Sequence, residues 1–170
     1  MKCVVVSDNH TNREVFRELI DYYREQEVEF FHCGDSEMLS TDRLWQGVHK
    51  VTGNCDYDAG FPREELVYVN GQKILLVHGH RHLVNVTLEN LADAALMQGA
   101  KIAFYGHTHR LDVQVVNGVL CVNPGSISIP RGLYHDTPTY AIVDIEEVIK
   151  VQYFTANHQP VEELVFEFTI

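Results

Sequence analysis

Five short stretches of this chain place potential metal ligands directly after apolar runs. They are Ser7-Asp8-Asn9-His10, Gly34-Asp35, Gly53-Asn54-Cys55-Asp56, His78-Gly79-His80 and Gly106-His107-Thr108-His109. Carboxylates, imidazoles and one amide recur, usually beside a glycine. Gathered in one place without a counter-charge, several buried carboxylates would repel one another and resist ionisation. Several buried imidazoles would be costly without partners. Divalent cations resolve both problems, and a mixed Asp, Asn and His set suits manganese, iron or zinc. One carboxylate has two oxygens, so a single Asp can bridge two ions about 3.5–4 Å apart. On an extended segment alternate residues point the same way, so Asp8 with His10, and His107 with His109, can each offer two ligands to one side.

The elements that must position these stretches are legible as hydrophobic patterns. Lys2–Ser7 reads as a buried strand of β-branched residues. Thr11-Asn12-Arg13-Glu14 has the form of a capping box, and Phe16, Leu19, Ile20 and Tyr23 recur at helical spacing, which predicts a helix over 12–26. Glu29–Cys33 and His49–Thr52 read as strands, with a short helix over 40–46 between them. Strand, helix, strand implies a right-handed crossover and a parallel sheet. Asn70-Gly71 and Asn117-Gly118 each sit between two strand-like runs and predict hairpins. Thr87–Gln98 is a second helix, with Gly99 as its stop, and Ile102–Tyr105 is a further strand. Thr139–Ile145, Val148–Thr155 and Val161–Phe168 are late antiparallel strands. The sum is an α/β fold: two packed mixed sheets flanked by helices, in a single domain over 1–170. In open α/β sheets, ligand sites gather at the carboxyl ends of strands, and all five stretches lie at such ends.

Composition narrows the functional classes. The 170 residues are 45% hydrophobic and 22% charged, ordinary for a globular domain with its own core. The formal net charge of −11 repels nucleic acid and anionic membranes at long range, so a nucleic-acid polymer and a membrane are both unexpected as partners. Cys3, Cys33, Cys55 and Cys121 are far apart with no C-x-x-C spacing, which argues against a zinc knuckle or a disulfide framework. Met1–Ser7 is too short for a signal peptide or a membrane span, and a cytoplasmic location is expected. Val161–Ile170 is a candidate edge strand through which a second copy could pair.

Taken in order, D-x-H, G-D, G-N-x-D, H-G-H and G-H-T-H resemble the calcineurin-like metallophosphoesterase superfamily, and the form G-N-C-D resembles its small bacterial and archaeal phosphodiesterase branch. The resemblance runs from the first strand to Asn123-Pro124-Gly125-Ser126. It implies two divalent ions, manganese first, with iron, nickel or zinc as alternatives. Asp8, His10, Asp35 and His109 would hold one ion; Asp35, Asn54, His78 and His107 would hold the other, with Asp35 as the bridge. A hydroxide between the ions would attack phosphorus in line. The implied substrate is a small phosphodiester or nucleotide-like compound. Larger members carry a histidine after G-N, where this chain has Cys55, so protonation of the leaving group would fall to His80 or to water. Cys55 and Arg131 are candidate substrate contacts. The same small fold also resembles a retromer subunit that works as a protein-binding scaffold, and this is the alternative reading.

The remaining candidates are read structurally. His32 is a core histidine, Asp56 holds its loop, Ser126 belongs to a turn, and Cys3, Cys33 and Cys121 are core. His49, His135 and His158 are surface or loop residues without a partner pattern.

Overall fold

The computed structural model describes residues 1–169. Its strands are β1 (Lys2–Val6), β2 (Val28–His32), β3 (Val48–Lys50), β4 (Glu64–Val69), β5 (Gln72–Val77), β6 (Ile102–Phe104), β7 (Asp112–Val116), β8 (Val119–Asn123), β9 (Thr139–Asp144), β10 (Ile149–Thr155) and β11 (Pro160–Phe168). Helix α1 spans Arg13–Tyr23 and α2 spans Glu89–Met97. The expected short helix over 40–46 is a single 3₁₀ turn, Arg43–Trp45.

Two mixed sheets form. One has the order β11-β10-β9-β1-β2-β3 and the other β4-β5-β6-β8-β7. Each has three parallel strands: β1, β2 and β3 in the first, β5, β6 and β8 in the second. Alternation along β1 shows how the layers are built. Cys3 and Val5 face the core between the sheets, where they join Phe31, Ile74, Phe104 and Val122. Val4 and Val6 face the other way, onto Phe16 and Leu19 of α1. On the far side, Leu75 and Val77 of β5 meet Leu91, Ala92 and Ala95 of α2. Burial on both faces explains why β1 and β5 read as continuous apolar runs.

The expected T-x-x-E capping box does not form. Asn12, not Thr11, caps α1 by accepting a hydrogen bond from the Val15 N–H. Thr11 is pulled aside because its own N–H bonds to the Ser36 carbonyl at 3.0 Å. Strand β11 lies at a sheet edge, as expected, and carries exposed Glu162, Glu163 and Glu167, charges that work against pairing with another strand. Ile170 lies outside the described residues. Among the described residues no helix is long and apolar enough to cross a membrane.

Candidate metal centre

Parallel strands β1 and β2 end side by side, and their loops stay paired beyond the sheet. The Asp8 N–H bonds to the Gly34 carbonyl at 3.1 Å, and the His10 N–H bonds to the Asp35 carbonyl at 3.1 Å. The loop after β6 joins them through the His107 N–H, which donates to Asp8 Oδ2 at 3.2 Å. Glycine is required where these loops crowd the Ser7, Asp8 and Asp35 side chains. A Cβ on Gly53 would lie 1.9 Å from Asp35 Oδ1, and one on Gly106 would lie 2.1 Å from Ser7 Oγ.

Two sets of lone pairs converge on Asp35. In the first, His109 Nε2 lies 3.3 Å from Asp8 Oδ1 and 3.0 Å from His10 Nε2. His10 Nε2 also lies 3.8 Å from Asp35 Oδ2. In the second, His78 Nε2 lies 3.2 Å from that same Asp35 oxygen and 3.1 Å from Asn54 Oδ1. A ring nitrogen of His107 completes a group with Asp35 and His78 whose ligand atoms lie within 4.8 Å of one another. Two atoms each about 2.1 Å from a common ion lie roughly 3.0–3.4 Å apart, close to the spacing seen here.

Hydrogen bonding fixes what these nitrogens offer. His10 donates Nδ1–H to Glu37, His78 to the Cys33 carbonyl and His109 to the Ile129 carbonyl, at 2.9, 2.7 and 2.8 Å. Each Nε2 is then left with a lone pair pointing inward. His10 Nε2 and His109 Nε2 face each other at 3.0 Å, a gap that either a proton or a metal ion would bridge. Asp8 Oδ2 is satisfied by Ser7 and by the His107 N–H, while Asp8 Oδ1 is buried and has no hydrogen-bond partner. An orphaned carboxylate oxygen among inward lone pairs is a fit for cations. The charge balance agrees. Burial would raise Asp8, but His10 and His109 outweigh it and hold the carboxyl well below the usual range. Asp35 is lowered likewise, its burial outweighed by His78 and the Cys55 N–H. His10 is raised to about 9, mainly by Asp8. Protons on these nitrogens and divalent ions therefore compete for one set of lone pairs.

The description of the calcineurin-like phosphoesterase superfamily domain matches residues 1–148. The chain belongs to that superfamily. It is 32% identical over 165 residues to the probable metallophosphoesterase YsnB of Bacillus subtilis, covering 96% of each chain. It is 26% identical over 167 residues to a phosphodiesterase of Methanocaldococcus jannaschii, covering 86% of this chain and 95% of that one. Among solved structures, a conserved uncharacterized protein of Streptococcus pneumoniae, described as a predicted phosphoesterase, superposes with a TM-score of 0.94 at 34% identity, covering 99% of this chain and 97% of that one. Vps29 of Entamoeba histolytica, in complex with Zn²⁺, superposes at 0.72 and 22% identity, covering 100% and 98%; this likeness is one of fold alone.

The loop after β3 places Cys55 against the first ligand set. Its N–H donates to Asp35 Oδ1 at 2.8 Å, and its sulfur lies within 4.8 Å of ligand atoms of His10 and Asp35. Burial, with the Asp35 charge beside it, raises the thiol to about 11. His80 sits beside the second set, its ring 5.3 Å from that of His78. Its Nδ1 is buried without a partner, and burial with the neighbouring His78 and Arg81 lowers it to about 4. Arg131 meets this region through its main chain, whose N–H bonds to the His109 carbonyl at 2.8 Å; its side chain is exposed.

Sequence spacing found the lone pairs but not what aims them. Glu37 and the carbonyls of Cys33 and Ile129 gave no signal, since a carbonyl has no residue type. Asp56 does hold its loop, accepting from the N–H groups of Asp35, Glu37 and Gly53 at 2.8, 2.7 and 2.7 Å. Ser126 reaches further than its own turn, donating to the Asp8 carbonyl. His49 lies in β3 rather than a loop, and His158 does lie in a loop, but both have partners brought from distant elements. His49 lies 2.7 Å from Glu65, and His158 stacks on Tyr22 and bonds Tyr140.

Proposed function

We propose that this chain is a dinuclear metal-dependent phosphoesterase that hydrolyses small phosphodiesters, with residues 1–170 acting as one domain. The observation that carries the reading is the Asp35 carboxylate, one oxygen of which faces His10 on one side and His78 on the other. Asp8, His10, Asp35 and His109 form one ligand set; Asp35, Asn54, His78 and His107 form the second. Manganese is the first choice of ion for this oxygen and nitrogen set. Two bound divalent ions would supply Lewis-acid charge and a nucleophile at neutral pH, several kcal/mol of transition-state stabilisation.

The chain's own residues prepare that chemistry. Glu37 and the two carbonyls orient three imidazoles and raise their basicity as ligands. The Cys55 N–H takes up Asp35 Oδ1 and leaves Oδ2 to both histidine sets. His80, neutral at pH 7, gives the leaving oxygen a hydrogen bond rather than a full positive charge. Cys55, still a thiol at that pH, is a weaker acid than an imidazolium in the same place. Diesters with good leaving groups are therefore the preferred substrates, and Arg131, whose main chain is tied to that of His109, is the candidate cation for a phosphate oxygen.

The test is hydrolysis of a chromogenic phosphodiester with Mn²⁺, with and without chelator, alongside elemental analysis of the purified protein. Chelator-sensitive turnover supports the reading. Absence of turnover by protein loaded with any of several divalent ions would favour the scaffold. Metal binding alone does not separate the two, because Vps29 of Entamoeba histolytica also takes Zn²⁺.

A further inference from the structure

Tyr57 is 92% exposed, and Leu39, on the neighbouring loop, is 69% exposed. Single exposed apolar residues are ordinary. These two differ because their loops are pinned. Asp56 and Asp58, on either side of Tyr57, both turn inward: Asp56 to the N–H groups already described, Asp58 to those of Ser40 and Gly60 at 2.7 and 2.8 Å. The Ser40 bond laces the Leu39 loop to the Tyr57 loop. Tyr57 is also two residues from Cys55, whose sulfur adjoins His10 and Asp35. Two residues of chain span at most about 7 Å, the scale of one ester group on a phosphate. Beside Leu39 runs a groove of about 570 Å³ whose lining includes Thr11, Glu37, Thr41 and Arg43. That volume lies within the roughly 300–1,000 Å³ of small-ligand pockets, and the groove shares Glu37, which orients His10, with the candidate centre.

We infer that Tyr57 and Leu39, on backbone held in place by Asp56 and Asp58, form a platform for a planar aromatic ester group of the substrate diester, and that they set the substrate preference of the centre. The inference rests on the phosphodiesterase reading. A rigid aromatic side chain stacks on any planar group at little entropic cost, and such stacking is sensitive to truncation at the level of about tenfold or more.

Three diesters sharing one leaving group test it: bis(4-nitrophenyl) phosphate, thymidine 5′-(4-nitrophenyl phosphate) and methyl 4-nitrophenyl phosphate. With the leaving group constant, differences report the second ester group, and the first two arms separate an aryl source from a nucleoside one. Wild type is expected to favour one or both planar arms over methyl by about tenfold in kcat/KM, through KM. Tyr57→Ala collapses that ratio and Tyr57→Phe keeps it. Calorimetry of phenylphosphonate against methylphosphonate on metal-loaded protein reads the same preference without turnover. If no diester is hydrolysed, the phosphodiesterase reading falls, and calorimetry alone judges the platform. Equal binding of the two phosphonates by wild type, or a planar preference that survives Tyr57→Ala, overturns it.

Discussion

Two kinds of turn in this molecule use left-handed backbone, for different reasons. At the hairpins, Asn70 (φ 47°) precedes Gly71 (φ 78°), and Asn117 (φ 51°) precedes Gly118 (φ 80°). These residues tolerate such angles, and the turn suits the twist of the strands it joins. At the carboxyl ends of β1, β2 and β6, positive φ falls instead on Asp8, His10, Thr11, Asp35, Glu37, His107 and His109. Each such residue costs on the order of 1 kcal/mol. Hydrogen bonds between the β1 and β2 loops hold the first of these there, Asp8 to Gly34, His10 to Asp35 and Thr11 to Ser36. At the hairpins, then, turn residues serve the sheet. At the strand ends, the sheet holds residues in a conformation that serves the side chains. The first kind should matter to stability and the second to activity.

The largest test of that contrast is Asp35→Asn. Removing the shared charge should cut kcat/KM on a chromogenic diester by at least about 10³-fold, with bound metal lost in elemental analysis. The metal-free variant should also melt below metal-free wild type, because His78 loses the carboxylate that faces it at 3.2 Å. Retained metal with activity within about tenfold of wild type would show that Asp35 is not shared between the two ligand sets.

A smaller effect separates the two ends by pH. His32 is buried behind the strand-end loops; Nε2 donates to Asn9 Oδ1, and Nδ1 accepts from the Gly34 N–H. A second proton would leave the Gly34 N–H facing another N–H. Burial accordingly lowers His32 to about 4. As pH falls from the ordinary histidine value near 6.5 toward 4, the unfolded chain takes up a proton that the native chain refuses. The His32 contribution to stability should fall over that window by up to about 3 kcal/mol and be level above it. Urea midpoints of wild type and His32→Gln across pH 4–7 would read the difference; parallel slopes would refute it.

The smallest effect lies at the hairpin end. Asn117→Ala should cost about 1 kcal/mol in urea unfolding and leave diester hydrolysis unchanged, since the extended strand β7 (Asp112–Val116) separates the turn from the His107–His109 loop. A fall in activity as large as the fall in stability would erase the contrast drawn here.

How far the residues announced all this depends on the range of the interaction. The strands, both hairpins and α2 were legible because burial periodicity and turn chemistry are local. Thr11 misled for the same reason: its capping box is a sound local signal, but a bond to Ser36 on another loop outcompetes it. Extending 12–26 as helix failed similarly, since α1 stops at Tyr23. The parallel β5, β6 and β8 were not legible, because β8 slots between β6 and β7 and no sequence neighbour records that order.

By itself the chain's sequence determined which atoms are available: carboxylates, imidazoles and an amide at five strand ends, usually beside a glycine. Residue type and two-residue spacing carry that much, because both are properties of a few consecutive units. Only the tertiary structure decided that one oxygen of Asp35 faces His10 and His78 together, that Asp8 keeps an oxygen free, and that each Nε2 points inward. Those outcomes depend on carbonyls of Cys33 and Ile129 and on Glu37, partners brought within reach only when β1, β2, β5 and β6 end on one side of the packed sheets.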